Sequence, residues 1–210
     1  TYQTPKSTIF IGAGNRSIDR AAIHEMPTPV KNRFSHFLLE PNIDDWVAWA
    51  VKNNIDSSIT GFLRFAPRNL NAVDATQNAF PTPRVWAYVN RKLPHVSDMF
   101  YGVASLVGDG PAGEYIAYKQ IYADLPDIDD IIAKPTTTKV PVGTSVMFAV
   151  CSALVSRVDA NNFEAIMKYT RRLPVEYQIV GIRDCLAKEP TFVQADPYIK
   201  WQNDNADVLL

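Results

Sequence analysis

The chain has 210 residues, of which 47% are hydrophobic and 20% are charged, and its formal net charge is −1. This composition is that of an ordinary globular protein, with enough apolar side chains for one large core or two small ones. The balanced charge argues against a nucleic acid or an anionic membrane surface as the main partner. No apolar run approaches the roughly 20 residues that span a bilayer, so we expect no membrane segment.

Cysteine and histidine are sparse, and their spacing does not indicate a metal site. Cys151 and Cys185 are the only cysteines, and neither has a second Cys or a His at metal-ligand spacing. His24, His36 and His95 share no such spacing either. We therefore expect two buried thiols in a reducing compartment, the cytoplasm, and no metal held by these residues. The alternative is a disulfide or a reactive thiol.

The first forty residues contain two segments with the composition of buried strands. Residues 8–12 are rich in β-branched and aromatic side chains and lead to Asn15 and Arg16, and residues 35–40 form a second such segment. Between them, Pro29 is placed to open a short helix that runs to Arg33. The sequence therefore predicts a small α/β part with about two strands.

After Pro41 almost everything has helical spacing. The first predicted helix is capped by Asn42 or Asp44 and buries Trp46, Trp49 and Ala50 on one face. The residues 108–113 predict a turn, and residues 134–143 predict an extended crossing. Three further helices are predicted to begin at Asp56, Pro83 and Asp98. Six more are predicted over residues 114–125, 127–133, 146–157, 161–172, 176–189 and 197–204. The predicted fold is mostly α, with an α/β part over residues 1–41 and a helical region over residues 42–210.

One interpretation of the first strand is a dinucleotide site. The pattern Gly12-x-Gly14-x-x-Ser17, with Glu40 ending the next strand, is close to a fingerprint in which glycines admit a pyrophosphate and an acid binds a ribose. However, Ser17 stands where Gly or Ala is usual, and no further alternating strands and helices follow. This interpretation stays open as an alternative.

A second interpretation is a polyphosphate site. Asn15 ends the first strand, Arg33 precedes the second, and Arg84 lies in the first turn of a helix, where the helix dipole disfavours a cation. An Asn amide can orient a water at a γ-phosphate, and an Arg fork can neutralise charge that develops in phosphoryl transfer. The structural alternatives are a helix cap for Asn15 and surface positions for both arginines.

An ordered set of motifs resembles the C-terminal part of the MoxR-type AAA+ ATPases. The set spans most of the chain and is more specific than any one motif. It consists of Gly12-Ala13-Gly14-Asn15-Arg16, Asp19-Arg20-Ala21, Asn32-Arg33-Phe34, Asp44-Asp45-Trp46, Phe62-Leu63-Arg64-Phe65, Phe80-Pro81-Thr82-Pro83-Arg84, Tyr169-Thr170-Arg171-Arg172-Leu173-Pro174 and Arg183-Asp184.

The resemblance implies roles for individual residues. Asn15 takes the sensor 1 role, Arg84 the sensor 2 role, and Arg33 that of an arginine finger acting on a neighbouring subunit's nucleotide. Arg16 and Arg20 are further candidates at the subunit boundary. The resemblance also implies ATP and Mg²⁺ as ligands, a hexameric ring, chaperone-like remodelling and a cytoplasmic partner, commonly one with a von Willebrand A domain.

Two parts of such an ATPase are not among these 210 residues. There is no Gly-x-x-x-x-Gly-Lys-Ser/Thr to cradle phosphates and no apolar strand ending in Asp-Glu to hold Mg²⁺. We therefore expect a fragment whose preceding portion binds most of the nucleotide and which has no turnover alone. The alternative from another class is a non-catalytic helical interaction module.

Overall fold

The computed structural model describes residues 3–14 and 26–209, and this part of the chain is mostly helical. Within the described ranges, three short 3-10 turns interrupt the helices, at Pro67–Leu70, Leu93–His95 and Pro190–Gln194. The α-helices in chain order are α1 (Thr28–Lys31), α2 (Ile43–Lys52), α3 (Ser57–Phe65), α4 (Pro83–Lys92), α5 (Met99–Val107), α6 (Asp109–Ala123), α7 (Ile128–Ala133), α8 (Thr144–Arg157), α9 (Phe163–Thr170), α10 (Val175–Lys188), α11 (Asp196–Asp204) and α12 (Ala206–Leu209).

Side-chain caps set the start of several helices. The Asn42 Oδ1 atom accepts hydrogen bonds from the backbone N–H groups of Asp44, at 2.7 Å, and Asp45, at 3.2 Å. Asp56, Asp98 and Asp127 cap α3, α5 and α7 in the same way. Each cap satisfies backbone donors that have no partner inside the helix. The predicted starts at Asn42, Asp56 and Asp98 are therefore confirmed.

The helices enclose two neighbouring hydrophobic cores. The first is built by α2 to α6 around the aromatic residues Phe62, Trp86 and Tyr115, whose ring centroids lie 5.5–5.8 Å apart. The second is built by α7 to α11 and contains the stacked rings of Phe163 and Phe192, 4.1 Å apart. Val51 and Leu125 pack against both cores.

Helices α3 and α8 make the most extensive contact in the molecule. At their crossing, a Cβ on Gly61 would lie 2.6 Å from the Tyr118 hydroxyl and 3.2 Å from the Ser152 Oγ atom. No side chain fits there without movement of its neighbours, so a glycine allows α3 to lie close to α6 and α8.

The predicted turn over residues 108–113 is wrong, because α6 already begins at Asp109. Gly108 alone makes the change of direction, with φ of +84° and a backbone that passes close to Ala79. A single glycine in this conformation lets α5 end and α6 begin at the next residue. Gly110 and Pro111 therefore lie in the first turn of a helix, where Pro is tolerated.

The two predicted strands are also absent from the described residues. Residues 8–12 and 35–40 have no regular secondary structure, and Ile11 and Leu39 are 92% and 89% exposed. A strand needs a neighbouring strand to bond its backbone, and the described residues contain none. Six large apolar side chains in these two segments are consequently exposed: Ile9, Phe10, Ile11, Phe37, Leu38 and Leu39.

The predicted buried face of α2 is correct for two of its three residues. Trp46 and Ala50 are buried, whereas Trp49 is 44% exposed, and its ring is tilted by 47° relative to that of Trp46, with centroids 6.2 Å apart. Trp49 lies at the margin of the apolar stripe, where the spacing of three residues rotates it away from the core. None of the described helices is both long and apolar enough to cross a membrane.

Candidate functional site

Three of the five predicted site residues lie outside the described part of the chain. These residues are Asn15, Arg16 and Arg20. Arg33 and Arg84 are described, and both are exposed.

Arg33 lies in the turn that follows α1. Its backbone N–H donates to the Val30 carbonyl oxygen at 3.0 Å, which closes the last turn of this short helix. Within residues 3–14 and 26–209, its guanidinium has no hydrogen-bond or ion-pair partner. The side chain is therefore available to a ligand or to a neighbouring molecule.

Arg84 is the second residue of α4, and its backbone is tightly held. Thr82 caps the helix by accepting a hydrogen bond from the Val85 N–H at 3.3 Å, and Pro83 occupies the first helical position. The Pro83 carbonyl oxygen accepts a hydrogen bond from the Trp46 indole N–H at 3.1 Å. The residue before Arg84 is thus fixed to α2.

A second tryptophan fixes the other side of Arg84. Trp86 is fully buried, and its indole N–H donates to the Asn69 carbonyl oxygen at 2.6 Å. Like Arg33, the guanidinium of Arg84 has no partner among the described residues. A cation at this end of a helix is electrostatically unfavourable without an anion nearby. The fold therefore presents an unpaired cation on a rigid turn.

A cavity of about 460 Å³ lies where the first forty residues meet the helical region. It is open to solvent on one side and is formed by the segment that enters α2 and by the 3-10 turn at Pro67–Leu70. Its lining combines apolar and polar groups, including Leu39, Glu40, Asn42, Pro67, Arg68 and Asn71. Arg68 is held at its rim by an ion pair with Glu114, with 2.7 Å between Nη2 and Oε2.

A second cavity, of about 240 Å³, lies between α2, α3, α8 and α10. The Lys188 ammonium lines it and donates to the carbonyl oxygens of Val155, at 2.9 Å, and Ser156, at 2.6 Å. Burial lowers the pKa of Lys188. These contacts satisfy the last carbonyl groups of α8, so Lys188 has a structural role at a helix C-terminus.

The structure brings together four charged residues that the sequence had not identified as one group. Arg64 in α3 is buried and donates to Asp184 in α10, with distances of 3.2 Å from Nε to Oδ2 and 2.5 Å from Nη2 to Oδ1. The same guanidinium donates to Asp44 at the start of α2, and Arg183 donates to the other oxygen of Asp44 at 2.7 Å. We call these residues the Arg64 cluster. Hydrogen bonds to every charge make such a buried group stable.

The two carboxylates of the Arg64 cluster differ in their electrostatics. For Asp44, whose side chain is 43% exposed, burial raises the pKa, but hydrogen bonds and charge from Arg64 and Arg183 outweigh it and the pKa is lowered. For Asp184, whose side chain is 6% exposed, burial dominates over the two arginines and raises the pKa. The cluster joins the first core to the second through three helices, so its role is structural.

The environment of the two cysteines does not activate them. Cys151 and Cys185 are both buried free thiols, and burial raises the pKa of each, to about 12 for Cys151. Thiols with raised pKa values are poor nucleophiles. In the part of the chain that the structure describes, no three His, Cys, Asp or Glu side chains are grouped to hold a metal ion.

Comparisons of the chain with protein-family models, curated proteins and solved structures give no match. The likeness to MoxR-type ATPases therefore stands on the motifs of the sequence alone, and the function that follows from it is a proposal.

Proposed function

We propose that this chain is the C-terminal part of a MoxR-like AAA+ ATPase, in which residues 1–41 complete the α/β core and residues 42–210 form the helical lid. In this proposal Arg84 acts as sensor 2, Arg33 as an arginine finger toward a neighbouring subunit, and Asn15 as sensor 1. Arg16 and Arg20 lie at the subunit boundary. The chain contributes to ATP sensing and to chaperone-like remodelling, but it does not turn over ATP alone.

The observation that carries this proposal is the presentation of Arg84. Two tryptophan hydrogen bonds hold the turn around it, while its charge has no partner among the described residues. A fixed cation at a helix N-terminus is stabilised when an anion binds there, and a polyphosphate is such an anion. A merely solvated arginine would not need an anchored backbone on both sides.

The exposed apolar segments support the same proposal. Residues 9–11 and 37–39 have the composition of central strands but no strand neighbour among the described residues. Parallel strands that are covered by helices on both faces have nearly continuous apolar sequences. A core supplied by a preceding polypeptide would cover these six side chains and pair their backbones.

The Arg64 cluster supports the resemblance of the motifs after residue 41 to the helical lid of MoxR-type ATPases. Asp44, Arg64, Arg183 and Asp184 come from three separate motifs of the resemblance, and they meet in one group of ion pairs in which Arg64 and Asp184 are buried. Because residues of these motifs contact one another, the motifs belong to one helical unit. We propose that this unit is the helical lid.

The chemistry assigned to this chain is positioning and charge stabilisation. Arg84 and Arg33 would neutralise phosphate charge from the two sides of a subunit boundary, and Asn15 would orient the attacking water. Mg²⁺ would lower the charge of the phosphates when bound, but the described residues include no group of three His, Cys, Asp or Glu side chains that could hold it. The phosphate-binding loop and the metal-binding acids belong to a preceding portion.

The proposed assembly is a cytoplasmic hexameric ring that works on another protein, with a von Willebrand A domain protein as the proposed partner. The competing function is a non-catalytic helical interaction module, for which the exposed apolar segments would be the docking surface. The two differ in nucleotide dependence: only the ATPase assembles or changes shape with ATP.

The test is ATP hydrolysis by the natural protein that contains these residues and by this chain alone. The natural protein should hydrolyse ATP, and Arg33→Ala should abolish turnover while ATP binding is retained, since the finger acts in the transition state. The isolated chain should show no turnover. If the isolated chain hydrolyses ATP and loses this activity on Arg84→Ala, the proposal that a preceding portion is needed for turnover is wrong. If Arg33→Ala in the natural protein keeps full activity, the arginine-finger assignment is wrong.

A further inference from the structure

We propose that Trp46 is a positioning residue for Arg84, acting through the carbonyl group of Pro83. This inference rests on the proposed function, because it assigns Trp46 to the same phosphate site. It concerns how the arginine is held and not which ligand it meets.

One hydrogen bond connects Trp46 to the backbone next to Arg84. The Trp46 indole N–H donates to the Pro83 carbonyl oxygen at 3.1 Å, and these residues lie 37 positions apart in the chain. The peptide unit that carries this carbonyl also contains the backbone N of Arg84. A hydrogen bond to that oxygen therefore limits rotation of the peptide unit from which the Arg84 side chain departs.

The neighbouring tryptophan provides a natural comparison. Trp49 lies on the same helix α2, one turn after Trp46, but it is 44% exposed, whereas Trp46 is 8% exposed. Within the described part of the chain the Trp49 indole N–H has no hydrogen-bond partner. Of the two tryptophans of α2, Trp46 alone donates to the backbone next to Arg84 in the described part of the chain.

The Arg64 cluster fixes Trp46 in turn. Asp44, two residues before Trp46, accepts hydrogen bonds from Arg64 in α3 and from Arg183 in α10. The start of α2 is consequently tied to both cores.

The experiment is a double-mutant cycle in the natural protein, with the dissociation constant of ATP as the readout. Trp46→Phe keeps an aromatic ring in the core but removes the N–H donor, and we expect it to weaken ATP binding about fivefold, the effect of one lost hydrogen bond. In the Arg84→Ala background, Trp46→Phe should have no further effect, because a positioning residue acts only through the group it positions. Trp49→Phe is the matched control and should leave ATP binding unchanged.

The outcomes separate this inference from the proposed function. If Arg84→Ala leaves ATP binding unchanged, the proposed site is wrong. If Arg84→Ala weakens binding but Trp46→Phe does not, or if Trp46→Phe weakens it equally with and without Arg84, the positioning role is wrong. The indole N–H resonances of Trp86 and Trp201 in nuclear magnetic resonance spectra report whether each variant keeps both cores folded.

Discussion

Arg64 and Asp184 form a buried ion pair between α3 and α10 across 120 residues of sequence. Their side chains are 4% and 6% exposed, and two N–H groups of the guanidinium meet the two carboxylate oxygens. Loss of Asp184 would leave the buried Arg64 with Asp44 as its one remaining counter-charge in the Arg64 cluster. The pair therefore connects the two cores and makes their folding interdependent.

The first prediction concerns this pair. Asp184→Asn should lower the free energy of unfolding by about 3 kcal/mol, because the Arg64 charge stays buried without its full counter-charge. Denaturant-induced unfolding, monitored by circular dichroism, measures this change in the free energy of unfolding. Glu164→Gln, which removes an exposed ion pair with Lys168, is the control and should cause no measurable change. Equal effects of the two variants would show that the buried ion pair contributes no more to the free energy of unfolding than the exposed one.

The second prediction is a pH dependence from Asp44. Because its pKa is lowered in the folded protein, Asp44 contributes stability that is full above its unfolded pKa of about 3.9 and is lost as the pH falls through the folded value. The difference in unfolding free energy between the wild type and Asp44→Asn should thus be constant near neutral pH and shrink below about pH 4.

Asp45→Asn is the matched control for this pH dependence. Asp45 lies in the same first turn of α2, so it shares the helix dipole, but it is exposed and outside the Arg64 cluster. Urea unfolding between pH 3 and pH 7 measures all three proteins. A difference for Asp44→Asn that grows on acidification would contradict the lowered pKa.

The third prediction concerns an unpaired buried hydroxyl. The Tyr118 hydroxyl has no hydrogen-bond partner among the described residues, whereas that of Tyr115 bonds to the Ser58 hydroxyl at 2.8 Å. Tyr118→Phe should raise the free energy of unfolding by about 1 kcal/mol, and Tyr115→Phe should lower it by about 1 kcal/mol. Thermal and urea unfolding test both. Destabilisation by Tyr118→Phe would mean that its hydroxyl has a partner in solution.

The fourth prediction compares a glycine before α6 with a glycine inside it. Gly108→Ala should cost about 2 kcal/mol, since φ is +84° and the new Cβ would lie 3.0 Å from the Ala79 carbonyl oxygen. Gly113→Ala should instead stabilise the protein by about 0.5 kcal/mol, because Gly113 is helical and the only atom near its Cβ position, Cε2 of Phe100, lies at 4.0 Å, an ordinary contact distance. Equilibrium unfolding of both variants gives the comparison, and the same sign for both would refute it.

These contacts also show what could be predicted from the sequence. Helix starts at Asp56, Pro83 and Asp98 are local signals, since a cap or a proline acts on the next few residues, and the structure confirms them. The apolar stripe of α3 is equally local, and Ile59, Phe62 and Leu63 are buried as their spacing indicates.

Other features depend on residues far apart in the chain. Strands at residues 8–12 and 35–40 need neighbours to pair with, and composition alone cannot supply them. Arg64 and Asp184 belong to two different motifs of the sequence, but their spacing of 120 residues gives no sign that they meet. The hydrogen bond from Trp46 to Pro83 is hidden for the same reason. For Arg33 and Arg84 the sequence predicts contacts to phosphate, with surface positions as the alternative. The structure adds that both are exposed and that neither guanidinium has a partner among the described residues, which leaves the two possibilities open.

The most direct test of the proposed site is the affinity of the natural protein for ATP with and without the Arg84 guanidinium. Arg84→Ala should weaken ATP binding at least tenfold, because a charge-assisted contact to phosphate is worth about 1.5–3 kcal/mol. Arg91→Ala, an exposed arginine on the same helix α4 that lies over the Tyr88 ring, is the matched control and should bind ATP like the wild type. Unchanged binding by Arg84→Ala, or equal losses in the two variants, would contradict the assignment of Arg84 as the phosphate-sensing residue.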